Sequence, residues 1–157
     1  MRNFSPTALK LLSSYLRNRN QSVYHASKIS RSCSTPRAVP QSSILGPLLY
    51  SIYANDLPLN VEHCQIHIYA DDVLLYISCA VDDASNCIRL INRDLHKICL
   101  RASANGLSLN RKKSAVLIIG QPKTDVFPPI HINNVNINIV ESVKNLGVIL
   151  NKQLKLV

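Results

Sequence analysis

The chain has 157 residues, about the length of one domain, and 46% of them are hydrophobic, which is enough for a core. No apolar run approaches the roughly 18 residues that a membrane-spanning helix needs, and the N-terminus lacks a signal-peptide pattern, so we expect an intracellular protein with no membrane segment. The formal net charge of +9 favours a polyanionic partner such as nucleic acid over a generically basic protein.

The first predicted element is a helix, and extended chain follows it. Ser5 followed by Pro6 indicates a helix start, because serine caps helices and proline suits the first helical position. Leucines then recur at helical spacing to about Asn18. Residues 21–30 look extended, and residues 32–36 are predicted to be a loop.

A second helix is predicted from the Ser42-Ser43 cap to Pro58, and a β-hairpin follows it. Apolar runs at 66–68 and 73–77 flank Tyr69-Ala70-Asp71-Asp72, a layout that places two adjacent carboxylates at the hairpin tip. Adjacent aspartates repel each other and are poor strand formers, so a divalent cation is the readiest reason to keep them together. Magnesium suits such a pair, and two magnesium ions are a standard device for in-line nucleotidyl transfer.

The rest of the chain predicts one long helix and several short strands. Asp82-Asp83 is expected to be a solvated pair, as most adjacent aspartates are, and to open a helix that ends at Asn105-Gly106. Residues 115–119 are predicted to be a buried strand, Asn133-Asn134 a hairpin turn, and 143–150 one further strand. The sum is an α+β fold with an antiparallel sheet flanked by helices.

The cysteine pattern does not favour a disulfide framework. The chain has five cysteines, an odd number, and their spacings are unpaired. His63-Cys64 and His67 leave a zinc site as an alternative, but no second ligand pair has finger-like spacing. We expect reduced cysteines, with some of them in the core.

Tyr69-Ala70-Asp71-Asp72 between hydrophobic strands resembles the catalytic hairpin of reverse transcriptases. Residues 39–50, with Pro40-Gln41 and Leu45-Gly46-Pro47, are similar to the loop and helix under the template and incoming nucleotide, most closely as found in non-LTR retrotransposons. Further stretches resemble neighbouring motifs of the family in the same order: 14–21, 52–58, 105–114 and 144–150. The resemblance covers essentially the whole chain.

The resemblance implies roles for the hairpin and for its partners. Asp71 would be a direct magnesium ligand with Asp72 beside it, and both would be catalytic. Tyr69 and Ala70 would set the hairpin against the primer end. The implied partners are an RNA template, a DNA primer and a deoxynucleoside triphosphate, with Mg²⁺ as the cofactor.

Two residues outside the hairpin also receive roles from the resemblance. Gln41 would contact the template or the incoming nucleotide, and Lys113 would steady or protonate the leaving pyrophosphate, for which a mobile ammonium is suited. The alternatives stay open: Gln41 as a polar residue before a helix cap, and Lys113 as one member of the solvated Arg111-Lys112-Lys113 run.

The chain departs from the family pattern in its metal ligands. The family takes a third carboxylate from a strand before the Pro-Gln motif, but the first acidic residue of this chain is Asp56. Ala38 and Ser42 replace family glycines, at a cost of about 1 kcal/mol each where φ is positive. We therefore expect a truncated copy that is inactive alone.

The expected fold is a polymerase palm that lacks the N-terminal fingers strands and the thumb. Within a partial domain spanning 1–157, residues 1–37 would precede the Pro-Gln motif, 38–120 would form the palm core, and 121–157 would supply C-terminal strands toward the primer grip. Two alternatives remain: a non-catalytic, basic nucleic-acid-binding remnant, and an unstable chain without a molecular function.

Overall fold

The computed structural model describes residues 4–36, 39–40, 42–120 and 127–154, and the chain divides into two compact units, 1–50 and 51–157. The α-helices are α1 (Pro6–Leu16), α2 (Leu45–Ala54) and α3 (Ala84–Ala104), with 3-10 turns at Leu57–Asn60 and Val81–Asp83. The strands are β1 (Asn20–Gln21), β2 (Tyr24–His25), β3 (Lys28–Ile29), β4 (Cys33–Ser34), β5 (Gln65–Tyr69), β6 (Asp72–Tyr76), β7 (Val116–Leu117), β8 (His131–Ile132), β9 (Val135–Asn136), β10 (Ile139–Val140), β11 (Ser142–Asn145) and β12 (Val148–Asn151).

The first unit begins with the predicted helix. The Ala8 N–H donates to Ser5 Oγ at 3.2 Å, so the expected cap is confirmed, and α1 ends at Leu16 rather than near residue 18. The extended region forms the β2–β3 hairpin. The predicted loop at 32–36 is wrong at Cys33–Ser34, which pairs with β1 through backbone hydrogen bonds that no apolar pattern signals.

The second helix is capped as predicted but ends early. The Gly46 N–H donates to Ser43 Oγ at 3.1 Å, and α2 stops at Ala54, while Pro58 lies inside a separate 3-10 turn. Ser42 has a φ of 60°, so the serine does occupy a left-handed conformation that favours glycine. Ala38 and Gln41 lie outside the described residues.

The core of the second unit forms on α3. Its apolar face supplies Ile88, Leu95 and Cys99, which cluster with Ile130 and Ile132 from the C-terminal hairpin region. The predicted helix end is confirmed, since Asn105 caps α3 and Gly106 follows with a φ of 69°.

The C-terminal strands confirm one hairpin and correct two other predictions. Asn133-Asn134 forms the turn between β8 and β9, with both φ values positive as a tight hairpin turn requires. The single strand predicted over 143–150 is wrong: β11 and β12 pair antiparallel around Leu146-Gly147, where φ is 48° and 87°. The prediction passed over this turn, although Gly147 was a signal for it.

The predicted buried strand at 115–119 is shorter and less buried than expected. Only Val116–Leu117 is a strand, both residues are half-buried, and it pairs parallel with β10. The predicted mixture of helices and strands is confirmed. However, each strand in the described ranges pairs with a single neighbour, so the strands form two-stranded ladders rather than one antiparallel sheet. Among the helices of these ranges, none has the length and apolar character to cross a membrane.

Candidate functional site

The Tyr69-Ala70-Asp71-Asp72 segment forms the tip of the predicted hairpin. β5 and β6 pair antiparallel, Tyr69 opposes Asp72 in the last ladder position, and Ala70-Asp71 makes the two-residue turn. Ala70 has a φ of 51°, the sign that a tight hairpin requires at the first turn residue. Both carboxylates are exposed to solvent, so the hairpin places two adjacent oxygen-donor side chains at an open tip.

The two faces of the hairpin differ in burial. Side chains alternate along a strand, so Ile66, Ile68 and Leu75 share one face. All three are half-buried, and Leu75 packs against the core cluster. Asp72 lies on the opposite, solvent-facing side together with Tyr69, which is 67% exposed. The hairpin thus attaches through one face and leaves the face that carries Asp72 open.

A polar network stiffens the outer face below the tip. The rings of His67 and Tyr76 stack with centroids 5.5 Å apart, and His67 Nε2 lies 3.1 Å from the Tyr76 hydroxyl. That hydroxyl also donates to Gln65 Oε1 across the ladder. Cross-strand pairs of this kind stabilise the register of a two-stranded ribbon.

A buried carboxylate on α3 holds the start of β5. Asp94 is fully buried, and its Oδ2 accepts the backbone N–H groups of Glu62 at 3.2 Å, His63 at 2.8 Å and Cys64 at 2.8 Å. We call this arrangement the Asp94 clamp. Burial acts to raise the pKa of Asp94, but the three backbone hydrogen bonds outweigh it and lower that pKa below its ordinary value.

Charged and sulfur groups surround the clamp. Glu62 and Lys97 form an ion pair at 2.6 Å, and hydrogen bonding to Lys97 lowers the pKa of Glu62. His63 Nε2 lies 4.0 Å from Glu62. Burial, and then the charge of Asp94, raises the pKa of the Cys64 thiol to about 12. Cys64 therefore stays protonated at neutral pH and is a poor nucleophile.

Comparison with known proteins identifies the fold family. The family model for reverse transcriptase (RNA-dependent DNA polymerase) matches residues 2–150. The chain belongs to the reverse transcriptase family. The family inferred from the motifs is thereby confirmed.

Similar proteins come from transposons of Drosophila melanogaster. The probable RNA-directed DNA polymerase from transposon X-element is 32% identical over 149 residues, which cover 92% of this chain and 16% of the relative. The corresponding protein from transposon BS is 32% identical over 157 residues, covering 92% of this chain and 17% of the relative. The chain thus spans only a small part of the relatives' length. No solved structure matches it significantly.

The structure brings together four of the six residues that the reverse transcriptase motifs single out. Tyr69, Ala70, Asp71 and Asp72 meet at the hairpin tip. Lys113 lies on a separate turn after α3, where it is exposed and its N–H donates to the Asn110 carbonyl at 3.0 Å. The sixth residue, Gln41, lies outside the described residues.

A polar group around Arg101 gives a structural role to the 52–58 stretch, which resembles a motif of the family but had no role assigned from the sequence. Arg101 on α3 donates from Nε to Asp56 Oδ2 at 2.8 Å and from its guanidinium to Asn105 Oδ1 at 2.7 Å. The Tyr53 hydroxyl donates to the Asn105 carbonyl. Tyr53 and Asp56 therefore connect the 52–58 stretch to the C-terminal end of α3, which gives that stretch a structural purpose.

Sequence reasoning missed Asp94. A signal was present, because Cys87, Ile91, Asp94 and Ile98 follow one another at helical spacing, so an aspartate interrupts an apolar face. A charged residue at such a position needs several hydrogen bonds to be tolerated. The sequence alone does not reveal that the donors come from the segment before β5.

The donor set at the tip fits a hard cation in part. Asp71 and Asp72 offer carboxylate oxygens, the ligands that Mg²⁺ takes in proteins alongside water and phosphate. Within the part of the chain that the structure describes, no group of three His, Cys, Asp or Glu side chains is placed to hold a metal ion. The tip can therefore supply ligands to one Mg²⁺, while a two-ion site needs a further carboxylate.

Proposed function

We propose that this chain is part of the palm of an RNA-directed DNA polymerase from a non-LTR element, and that Asp71 and Asp72 hold Mg²⁺ at the primer end. The observation that supports this most strongly is the pair of exposed carboxylates at an antiparallel hairpin tip in a reverse transcriptase family member. When bound, the ion would neutralise phosphate charge and help to align the attacking hydroxyl.

The chain's own residues would position the nucleic acid. Tyr69 offers an exposed ring beside the carboxylates, suited to contact with a base or sugar of the primer end. Ala70 has no bulky side chain and leaves the tip accessible. We keep Gln41 as a contact to template or incoming nucleotide and Lys113 as the cation for the leaving pyrophosphate. The substrates would be an RNA template, a DNA primer and a deoxynucleoside triphosphate.

We further propose that this polypeptide alone does not polymerise DNA. The first acidic residue of the chain is Asp56, and Asp56 is bound to Arg101 rather than available at the tip. Two carboxylates on one hairpin do not satisfy two octahedral ions. Primer extension with this chain should give no incorporation, and Mg²⁺-dependent incorporation that disappears in Asp71→Ala would refute this part of the proposal.

Metal binding at the tip can be tested without activity. Titration of the ¹⁵N-labelled protein with Mn²⁺ should broaden the amide signals of residues 69–72 selectively, and Asp71→Asn or Asp72→Asn should remove the broadening. Asp82→Asn is the matched control, since it changes one member of the other adjacent aspartate pair in the same chain. If Asp82→Asn had the larger effect, the tip would not be the metal site.

A non-catalytic nucleic-acid-binding role is the second candidate. In the first unit, an open depression beside the end of α1 is lined by Lys10, Ser13, Ser14, Arg17 and Asn18, which combines two cations with hydrogen-bonding side chains. If phosphate contacts drive the binding, the logarithm of the binding constant should fall linearly with the logarithm of the salt concentration. Asp71→Ala should leave that binding unchanged or strengthen it, whereas a Mg²⁺-dependent complex at the tip should weaken.

A further inference from the structure

We infer that Asp94 is a positioning residue for the Tyr69–Asp72 hairpin: a buried carboxylate that sets where β5 begins through the backbone amides of Glu62, His63 and Cys64. The inference deepens the proposed function, on which it depends only for calling the hairpin catalytic. It assigns a purpose to a residue that lies away from the carboxylate tip.

Burial of a charged aspartate at this position costs free energy unless hydrogen bonds compensate it. Asp94 is fully buried on the face of α3 that also carries buried Leu95 and Ile98. An uncompensated buried charge costs several kcal/mol, so an apolar residue would be the default choice for packing alone. Three N–H donors compensate Oδ2, while Oδ1 is buried without a hydrogen-bond partner among the described residues. The carboxylate is therefore specific for this backbone geometry.

The position of the donors gives the clamp its effect on the tip. Cys64 immediately precedes Gln65, the first residue of β5, and the strand then runs straight to Tyr69. A five-residue strand spans roughly 16 Å, so a change in direction at its base is carried to its end. Three consecutive amides aimed at one oxygen restrict both the position and the direction of the chain as it enters the strand.

The clamp complements an apolar attachment on the partner strand. Leu75 of β6 packs against the core cluster, and contacts of this type tolerate sliding because they have no preferred direction. Hydrogen bonds from fixed backbone amides do not tolerate it. A one-residue slip of β5 would reverse the faces of its side chains and change which residues flank the tip. The polar clamp thus selects one placement of the hairpin.

The chain provides two matched controls. Lys97 pairs with Glu62 across the same junction, where Glu62 is exposed and Lys97 is half-buried, so Lys97→Gln removes a charge contact but none of the three hydrogen bonds to Asp94. Ile98 is 2% exposed on the same helix, so Ile98→Val destabilises the core and removes no donor or acceptor of the clamp. A positioning role predicts that neither control reproduces the local effect of Asp94→Asn.

Amide hydrogen exchange on the full chain provides the test. In Asp94→Asn, charge-assisted hydrogen bonds are replaced by weaker ones. We therefore expect the exchange rates of residues 62–64 and of the β5–β6 amides to increase by a factor about tenfold larger than the increase in the exchange rates of the α3 amides. In Ile98→Val, any rise should be shared by α3 and the hairpin. Equal hairpin rises in the two variants, after correction for global stability, would overturn the inference.

Two further measurements keep the outcome clear. Asp94→Glu retains the charge but lengthens the side chain, so it should give a smaller rise at the same amides and serves if Asp94→Asn does not fold. Mn²⁺ broadening of residues 69–72 should require several-fold more metal in Asp94→Asn, but not in Ile98→Val. If Mn²⁺ fails to broaden the wild-type tip, the proposed metal function is wrong, while the exchange pattern still decides whether the clamp positions the hairpin.

Discussion

Replacing Ala70 by glycine should stabilise the second unit. Ala70 has a φ of 51°, and a Cβ in the left-handed region costs about 1–2 kcal/mol. Glycine removes that cost but adds freedom to the unfolded chain, worth about 0.5–1 kcal/mol. The difference predicts a net increase of about 0.5–1 kcal/mol in the free energy of unfolding.

Ala104→Gly is the matched control for this substitution. Ala104 ends α3, is exposed and lies in the same compact unit, so the change of side chain is identical but the backbone is helical. We expect it to lower the free energy of unfolding by about 0.5–1 kcal/mol. The two variants should therefore shift stability in opposite directions.

Urea unfolding followed by circular dichroism measures both variants against the wild type. The midpoint should rise in Ala70→Gly and fall in Ala104→Gly, with an unchanged dependence on urea concentration. If both variants were destabilised to the same extent, Ala70 would not adopt the left-handed conformation. The turn that presents Asp71 would then differ from the one described above, and the placement of the carboxylates would have to be reconsidered.

Three other predictions concern buried and polar contacts of α3 in the second unit. Ile98→Ala should lower the free energy of unfolding by about 2–4 kcal/mol, since it empties a buried site, and a loss under 1 kcal/mol in urea unfolding would contradict the described core. Asp94→Asn should destabilise by an amount that is constant above about pH 5 and shrinks below about pH 4, because the native pKa of Asp94 is lowered and its stabilisation is lost on protonation. The wild type and Asp94→Asn share the other charged groups around the clamp. The difference between their free energies of unfolding, measured from pH 3 to 7, therefore isolates the contribution of Asp94. Arg101→Lys should cost about 1 kcal/mol in thermal or urea unfolding, because lysine cannot reach both Asp56 and Asn105; an equal loss in an Asp56→Asn background would show that the pair is not coupled.

Local elements with strong chemical signals were predictable. Ser5-Pro6 marked the start of α1, Asn133-Asn134 marked a hairpin turn, and Asn105-Gly106 marked the end of α3. Each of these rests on contacts within a few residues, so the local sequence contains the required information. The carboxylate hairpin belongs to the same group, since two apolar runs flank a short polar turn.

Predictions failed where pairing between distant segments decides the structure. Cys33–Ser34 is a strand only because β1 lies beside it, and Val116–Leu117 pairs parallel with β10 from beyond residue 135. The turn at Leu146-Gly147 is a different case: Lys144 and Asn145 interrupt the apolar residues and Gly147 marks a turn, so the local sequence did contain the signal that the prediction passed over. Apolar pattern alone does not specify a strand's partner or its direction.

The amino-acid sequence by itself determined the family, the adjacent carboxylates and the hairpin that presents them, because these depend on residue identity and short-range backbone preferences. Only the tertiary structure showed how the hairpin is held, with Asp94 accepting three amides from a segment about thirty residues earlier. A carboxylate can bind backbone donors from any part of the chain, and every residue except proline has the same backbone N–H group. The choice of donors is therefore made by packing in space.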